Sequence, residues 1–115
     1  MRPSLPGVTG VNAAPRGRLA PSPTGYIHLG NAWAFWAAWL AATAQGGECL
    51  LRLEDIDPAR AKPEYAAALI TDLRWLGLSW SNTSGNGQNA LLRQSARGGV
   101  YDAALARLRD KGVLY

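Results

Sequence analysis

Apolar residues recur at helical spacing in three stretches of this 115-residue chain, and a short strand candidate precedes each stretch. Leu29, Trp33, Trp36 and Leu40 fall at i, i+4, i+7 and i+11, one face of an α-helix. Embedded in alanine, that tryptophan stripe reads as a core face. Gly46-Gly47 supplies the C-terminal stop. Tyr65, Leu69, Leu73 and Leu76 make a second stripe, with Pro63 and Glu64 suited to its first turn and Gly77 to its end. Tyr101, Leu105 and Leu108 mark a third helix, which Gly112 closes. The strand candidates are Arg18 to Ala20, stopped by Pro21 and Pro23, then 48-ECLLRLED-55, then 90-ALLRQS-95 after the polar loop 81-SNTSGNGQN-89. Strand and helix alternate three times. Right-handed crossovers then give an α/β fold, a parallel sheet with flanking helices resembling the first half of a nucleotide-binding domain.

Composition narrows this only a little. Hydrophobic content of 48% and charge of 17% belong to a folded chain. The net charge of +4 rests on ten arginines and two lysines, a mild pointer to an anionic partner. Cys49 is the single cysteine, which excludes an internal disulfide or a cysteine-cluster metal site and fits a reducing, cytoplasmic compartment. The longest apolar run, Ala32 to Ala44, is too short to span a membrane. The head 1-MRPSLPGVTGVNAAPRG-17 has three prolines, three glycines and no periodicity, so residues 1–15 read as a flexible leader and 16–115 as the domain.

The chemistry concentrates in 18-RLAPSPTGYIHLGNA-32, where two prolines and two glycines surround the only histidine. In parallel α/β units ligands sit beyond the carboxyl ends of the strands, where helix N-termini offer unpaired N–H groups to phosphate. Three features meet there: the Pro21-to-Gly30 turn, the acids of 54-EDID-57, and Gln94-Ser95. His28 can donate to a phosphate oxygen, or simply cap the helix. Gly30 lets a flat ring approach the backbone because it has no Cβ. Glu54, Asp55 and Asp57 serve equally as turn formers, and they lack the supporting oxygens of a recognised magnesium site. Arg18 in a strand beside this turn fits an anionic substrate, or a salt bridge to Glu54 or Asp55.

Together these residues resemble the glutamate-specific class I aminoacyl-tRNA synthetases. The family's first strand and turn read R-x-A-P-S-P-T-G-x-x-H-x-G, matched throughout by residues 18–30, and its R-[IL]-E-D-x-D strand is matched by 52-RLEDID-57. The 74-RWLGLSW-80 and 94-QS-95 segments are similar too, so the resemblance covers 16–115. It implies the first half of a Rossmann-like catalytic domain using ATP with Mg2+, L-glutamate and tRNA. By resemblance, Arg18 grips the substrate side-chain carboxylate and Glu54 pairs with its α-ammonium, while Leu19, Ala20, Pro21 and Ser22 complete the glutamate pocket. Pro23, Thr24, His28, Gly30 and Asn31 fall to ATP, with His28, the first histidine of the H-I-G-H signature, as the catalytic residue.

Asn31 departs from that signature at its last position. The K-M-S-K-S-type loop, the second half of the sheet and an anticodon-binding domain have no counterpart here, and a zinc-binding insertion would lie only downstream of Tyr115. The expectation is an N-terminal fragment, inactive by itself. The 54-EDIDPAR-60 segment is closest to the glutamyl-queuosine tRNA(Asp) synthetases, which makes the queuosine base of tRNA(Asp) the expected acceptor and tRNA(Glu) the alternative. Two other classes stay open: another adenylyl-transfer enzyme with an H-x-G-H turn, which leaves Arg18 and Glu54 unexplained, and a non-catalytic nucleotide- or protein-binding remnant.

Overall fold

The computed structural model describes residues 14–81 and 91–114. The predicted leader up to residue 13, the polar loop after Ser81, Ala90 at the head of the third strand candidate, and Tyr115 lie outside the described residues. The elements are β1 (Arg16–Leu19), α1 (Leu29–Thr43), β2 (Glu48–Leu53), α2 (Pro63–Trp75), β3 (Leu92–Arg93), one 3-10 turn (Ser95–Arg97) and α3 (Gly98–Asp110). The three strands pair in parallel in the order β1-β2-β3, with Arg18 opposite Leu50 and Leu53 opposite Arg93. Alternation of strand and helix is therefore realised as expected. Strand lengths are not: β1 starts two residues early and β3 has only two residues. Gly46, Gly77 and Gly112 follow the helices with φ of 72°, 78° and 66°, the left-handed geometry that lets a chain leave a helix.

Alternation along the strands decides what each face does. Leu19, Cys49, Leu51 and Leu53 turn to one face and are buried, joined there by Ala42 of α1 and by Ala66, Leu69 and Leu73 of α2. Both helices thus cover the same face, as two right-handed crossovers in one direction require. Arg16, Arg18, Leu50 and Arg52 turn to the other face, which neither helix covers. There Arg16 pairs with Glu48 at 2.7 Å and Arg52 with Glu54 at 2.5 Å. Burial pushes the Cys49 thiol above its ordinary pKa, which leaves it a packing residue.

The tryptophan stripe is not the core face. Leu29 and Trp33 are 87% and 67% exposed, and Trp36 and Leu40 are exposed as well, with Trp33 and Trp36 stacked on each other at 5.8 Å. The sheet takes Phe35, Ala38, Trp39 and Ala42 instead, a stripe of the same helical spacing. The cause is steric. A Cβ on Gly17 would lie 2.6 Å from Cys49 Sγ and 3.0 Å from Ala42 Cβ, so α1 approaches the sheet more closely than a row of indoles permits. A helix apolar nearly all round offers several stripes, and packing selects the one whose Ala38 and Ala42 meet Gly17. On α2 the predicted stripe does face inward, with Leu69 and Leu73 sealed and Leu76 partly buried. In α3 the helix forms, but none of its residues is buried.

Candidate active site

The turn between β1 and α1 is held at three points. Thr24 N donates to Ser22 O at 2.8 Å, Glu54 N to Pro21 O at 2.9 Å and Lys62 N to Pro23 O at 3.1 Å. The end of β2 and the entry to α2 thereby fix the Pro-Ser-Pro segment, whose missing N–H groups leave its carbonyls as the available partners. Tyr26 of the turn packs edge to face on Tyr65 of α2 at 5.1 Å.

This turn encloses one side of a cavity of about 490 Å³, within the range of small-molecule sites. Ala20, Pro21, Ser22, Thr24, His28 and Asn31 line it, so six of the residues singled out in the sequence converge there. His28 is the N-cap of α1: its Nδ1 accepts from Gly30 N at 3.1 Å, and its own N–H donates to Asn31 Oδ1 at 3.4 Å. In a neutral ring with Nδ1 accepting, the proton sits on Nε2. Capping and presenting a donor are one arrangement here, not alternatives.

Other sequence-predicted residues are placed elsewhere. Leu19 is 0% exposed, its side chain locked in the core by strand alternation, and it does not line this cavity. Pro23 is also fully buried; it lines a second cavity of about 230 Å³ together with Asp55, Lys62, Arg93 and Ser95. Arg18 and Glu54 do not line the 490 Å³ cavity. Arg18 is exposed on the open face of the sheet and makes no salt bridge to Glu54 or Asp55. Gly30 is in the first turn of α1 beside the His28 ring.

The acids separate. Glu54 is paired with Arg52. Asp57 Oδ1 accepts from Ala59 N at 3.0 Å, a turn-forming contact. Asp55 accepts from Ser95 N and Ser95 Oγ, both at 2.9 Å, and from Arg93 at 3.2 Å. Burial acts to raise the Asp55 pKa, yet the Ser95 and Arg93 contacts outweigh it and hold the carboxyl below its ordinary value. Gln94-Ser95 therefore reaches Asp55 and not the His28 cavity; Gln94 N bonds Leu53 O at 2.9 Å. Among the described residues no three His, Cys, Asp or Glu side chains are grouped to hold a metal ion, and no helix is long and apolar enough to cross a membrane.

Sequence reasoning passed over Gly25, Tyr26, Ile27, Phe35 and Leu69, which also line the larger cavity. Phe35 carried a signal, standing one helical turn after Asn31. Leu69 carried none, because only the tertiary fold brings it there.

Residues 15–115 match the family described as tRNA synthetases class I (E and Q), catalytic domain. A Glutamyl-Q tRNA(Asp) synthetase of Nitratidesulfovibrio vulgaris is 74% identical over 65 residues, 56% of this chain and 20% of that protein. The Glutamyl-Q tRNA(Asp) synthetase of Rhodobacter capsulatus is 51% identical over 98 residues, 85% of this chain and 33% of that one. Glutamate--tRNA ligase 2 of a Methylobacterium species is 50% identical over 102 residues, covering 89% and 21%. Among solved structures, a glutamate tRNA ligase from Elizabethkingia meningosepticum in complex with its amino acid superposes with a TM-score of 0.75 at 33% identity, over 85% of this chain and 20% of that chain. The chain spans between a fifth and a third of these relatives' length. On its signature turn, its parallel sheet and these matches, the chain belongs to the glutamate- and glutamine-specific class I aminoacyl-tRNA synthetases and carries part of their Rossmann-like catalytic domain.

Proposed function

We propose that residues 16–115 supply the glutamate- and ATP-binding part of an enzyme that activates L-glutamate as glutamyl-adenylate and passes it to tRNA. One observation carries this reading: the proline-rich turn, an imidazole whose Nε2 has no partner among the described residues, and a helix N-terminus meet at one cavity beyond the carboxyl end of β1. In activation, a glutamate α-carboxylate oxygen bonds to the α-phosphorus of ATP, the bond to the β-phosphate bridging oxygen breaks, and pyrophosphate leaves. The chain needs no nucleophile of its own for this. It needs donors where phosphate charge builds up, and it needs the two substrates held in line.

In this reading His28 Nε2–H donates to phosphate, while Thr24, Gly30 and Asn31 border the nucleotide. Ala20, Pro21 and Ser22 wall the amino-acid side together with the Leu19 main chain, and the buried Pro23 contributes main chain alone on the ATP side. Arg18, exposed and without an ion pair among the described residues, takes the glutamate side-chain carboxylate. Glu54 takes the α-ammonium by exchanging its contact with Arg52 for one with substrate. Glu54, Asp55 and Asp57 each have another partner and do not converge on a cation, so Mg2+ would enter this part of the site with ATP. We place the reaction in the cytoplasm.

For the acceptor we propose the queuosine base of tRNA(Asp), supported by the 54-EDIDPAR-60 segment and by similarity to two Glutamyl-Q tRNA(Asp) synthetases. The Methylobacterium ligase keeps tRNA(Glu) as the competing acceptor. A chimera tests both levels: residues 16–115 replace the matching segment of the Rhodobacter capsulatus relative, and labelled glutamate is offered with queuosine-containing tRNA(Asp) and with tRNA(Glu). Acid gels should show label on tRNA(Asp) alone. Label on tRNA(Glu) alone overturns the acceptor, and a folded chimera that labels neither overturns the activity.

A further inference from the structure

We propose that Gly30 and Asn31 are positioning residues that act through His28, fixing its imidazole in one orientation and one tautomer so that Nε2–H is the group offered to a ligand. Only the identity of that ligand, a phosphate of ATP, rests on the function proposed above.

Three contacts carry the inference. Gly30 N–H donates to His28 Nδ1 at 3.1 Å, which occupies the Nδ1 lone pair and leaves the neutral ring's proton on Nε2. His28 N–H donates to Asn31 Oδ1 at 3.4 Å, closing a reciprocal capping box around the first turn of α1. Such boxes are ordinarily built from Ser or Thr at the N-cap and Glu or Gln three residues on. Here the same exchange of bonds uses a histidine and an asparagine, so the cap itself orients a titratable ring. The third contact is a space. A Cβ on residue 30 would lie 3.0 Å from His28 Cε1 and 3.2 Å from Nδ1, a tight approach that the ring could relieve only by shifting. The missing side chain of Gly30 thus makes room first for the histidine ring.

Nε2 has no partner among the described residues, and His28 lines the 490 Å³ cavity. The tautomer matters for an anion. Nε2–H attracts a phosphate oxygen, whereas the opposite tautomer would turn a lone pair toward it. A side chain at residue 30, or loss of the Asn31 acceptor, should loosen the ring and mix the two states.

Because His28 is the only histidine in the chain, nitrogen-detected NMR of the labelled protein gives one unambiguous imidazole. The measurement is the coupling across the hydrogen bond between Gly30 N and His28 Nδ1, with the tautomer read from the two ring-nitrogen shifts at mildly alkaline pH. Wild type should show the coupling and the Nε2–H form. Gly30→Ala and Asn31→Ala should lose at least half the coupling and drift toward the tautomer ratio of the urea-unfolded chain. Asn31→Asp, which keeps an acceptor, should retain both signatures. Both alanine substitutions favour helix, so α1 should persist by circular dichroism; should one variant unfold, the other decides. No coupling in wild type, or full coupling in both alanine variants, overturns the proposal. Titration with ATP separates it from the functional reading: an intact coupling with Nε2 unmoved by ATP upholds the positioning and refutes the phosphate role.

Discussion

His28 uses its two ring nitrogens differently, one tied to the helix it caps and the other without a partner among the described residues. In the chimera, His28→Ala should therefore slow adenylate formation about a hundredfold or more while changing the glutamate KM far less, because the lost donor matters most as phosphate charge develops. Single-turnover kinetics separate the two; equal losses in rate and KM would contradict the role. Arg18→Ala should do the reverse, weakening glutamate by about 1.5–3 kcal/mol, the range for a hydrogen bond to a charged group. Among single residues, the turn was legible in the sequence because prolines, glycines and one histidine announce a special backbone. Leu19 and Pro23 were not: a motif gives the order of residues, and only the pleat of β1 and the fold of the turn decide which side chains face inward.

At the scale of elements, the alternation of strands and helices was readable and the packing face of α1 was not. Apolar residues occupy most of that helix, and the competition between its stripes was settled by a contact distant in sequence, between Gly17, Cys49 and Ala42. Gly17→Ala should force α1 off the sheet and cost about 1–3 kcal/mol as overpacking. A denaturant midpoint at the wild-type value would refute the close-approach explanation. The join between β2 and β3 depends on Asp55, whose side chain is only 10% exposed. Its pKa is held below the ordinary carboxylate value, so its contribution is complete above that value, about 3.9, and fades as pH falls through the folded pKa. Asp55→Asn should destabilise the chain by about 1–3 kcal/mol near neutrality, since Ser95 and Arg93 lose their charged acceptor. The difference from wild type should shrink in acid. A gap between the two melting curves that stays constant from pH 7 to 3 would contradict this.

For the whole molecule, one face of the sheet is covered and the other is a row of arginines and glutamates, while Leu29, Trp33, Trp36 and Trp75 are exposed on the helices. With β1 and β3 both unpaired on their outer sides among the described residues, the chain by itself should self-associate at micromolar concentration. Sedimentation velocity checks this, and a single monomeric species across the range would count against it. The sequence could not display these surfaces, because exposure belongs to the assembled fold and not to any window of residues. The proposed function, however, is chemical: in that reading this chain's turn and sheet end would bind glutamate and ATP for adenylate formation. Its most direct measurement is glutamate-dependent ATP–pyrophosphate exchange by the chimera without tRNA, in wild-type form and with Arg18→Ala. Exchange that requires glutamate, and that in the Arg18 variant returns only at much higher glutamate, is the expected result; a folded chimera whose exchange is absent, or indifferent to glutamate and to Arg18, would contradict it.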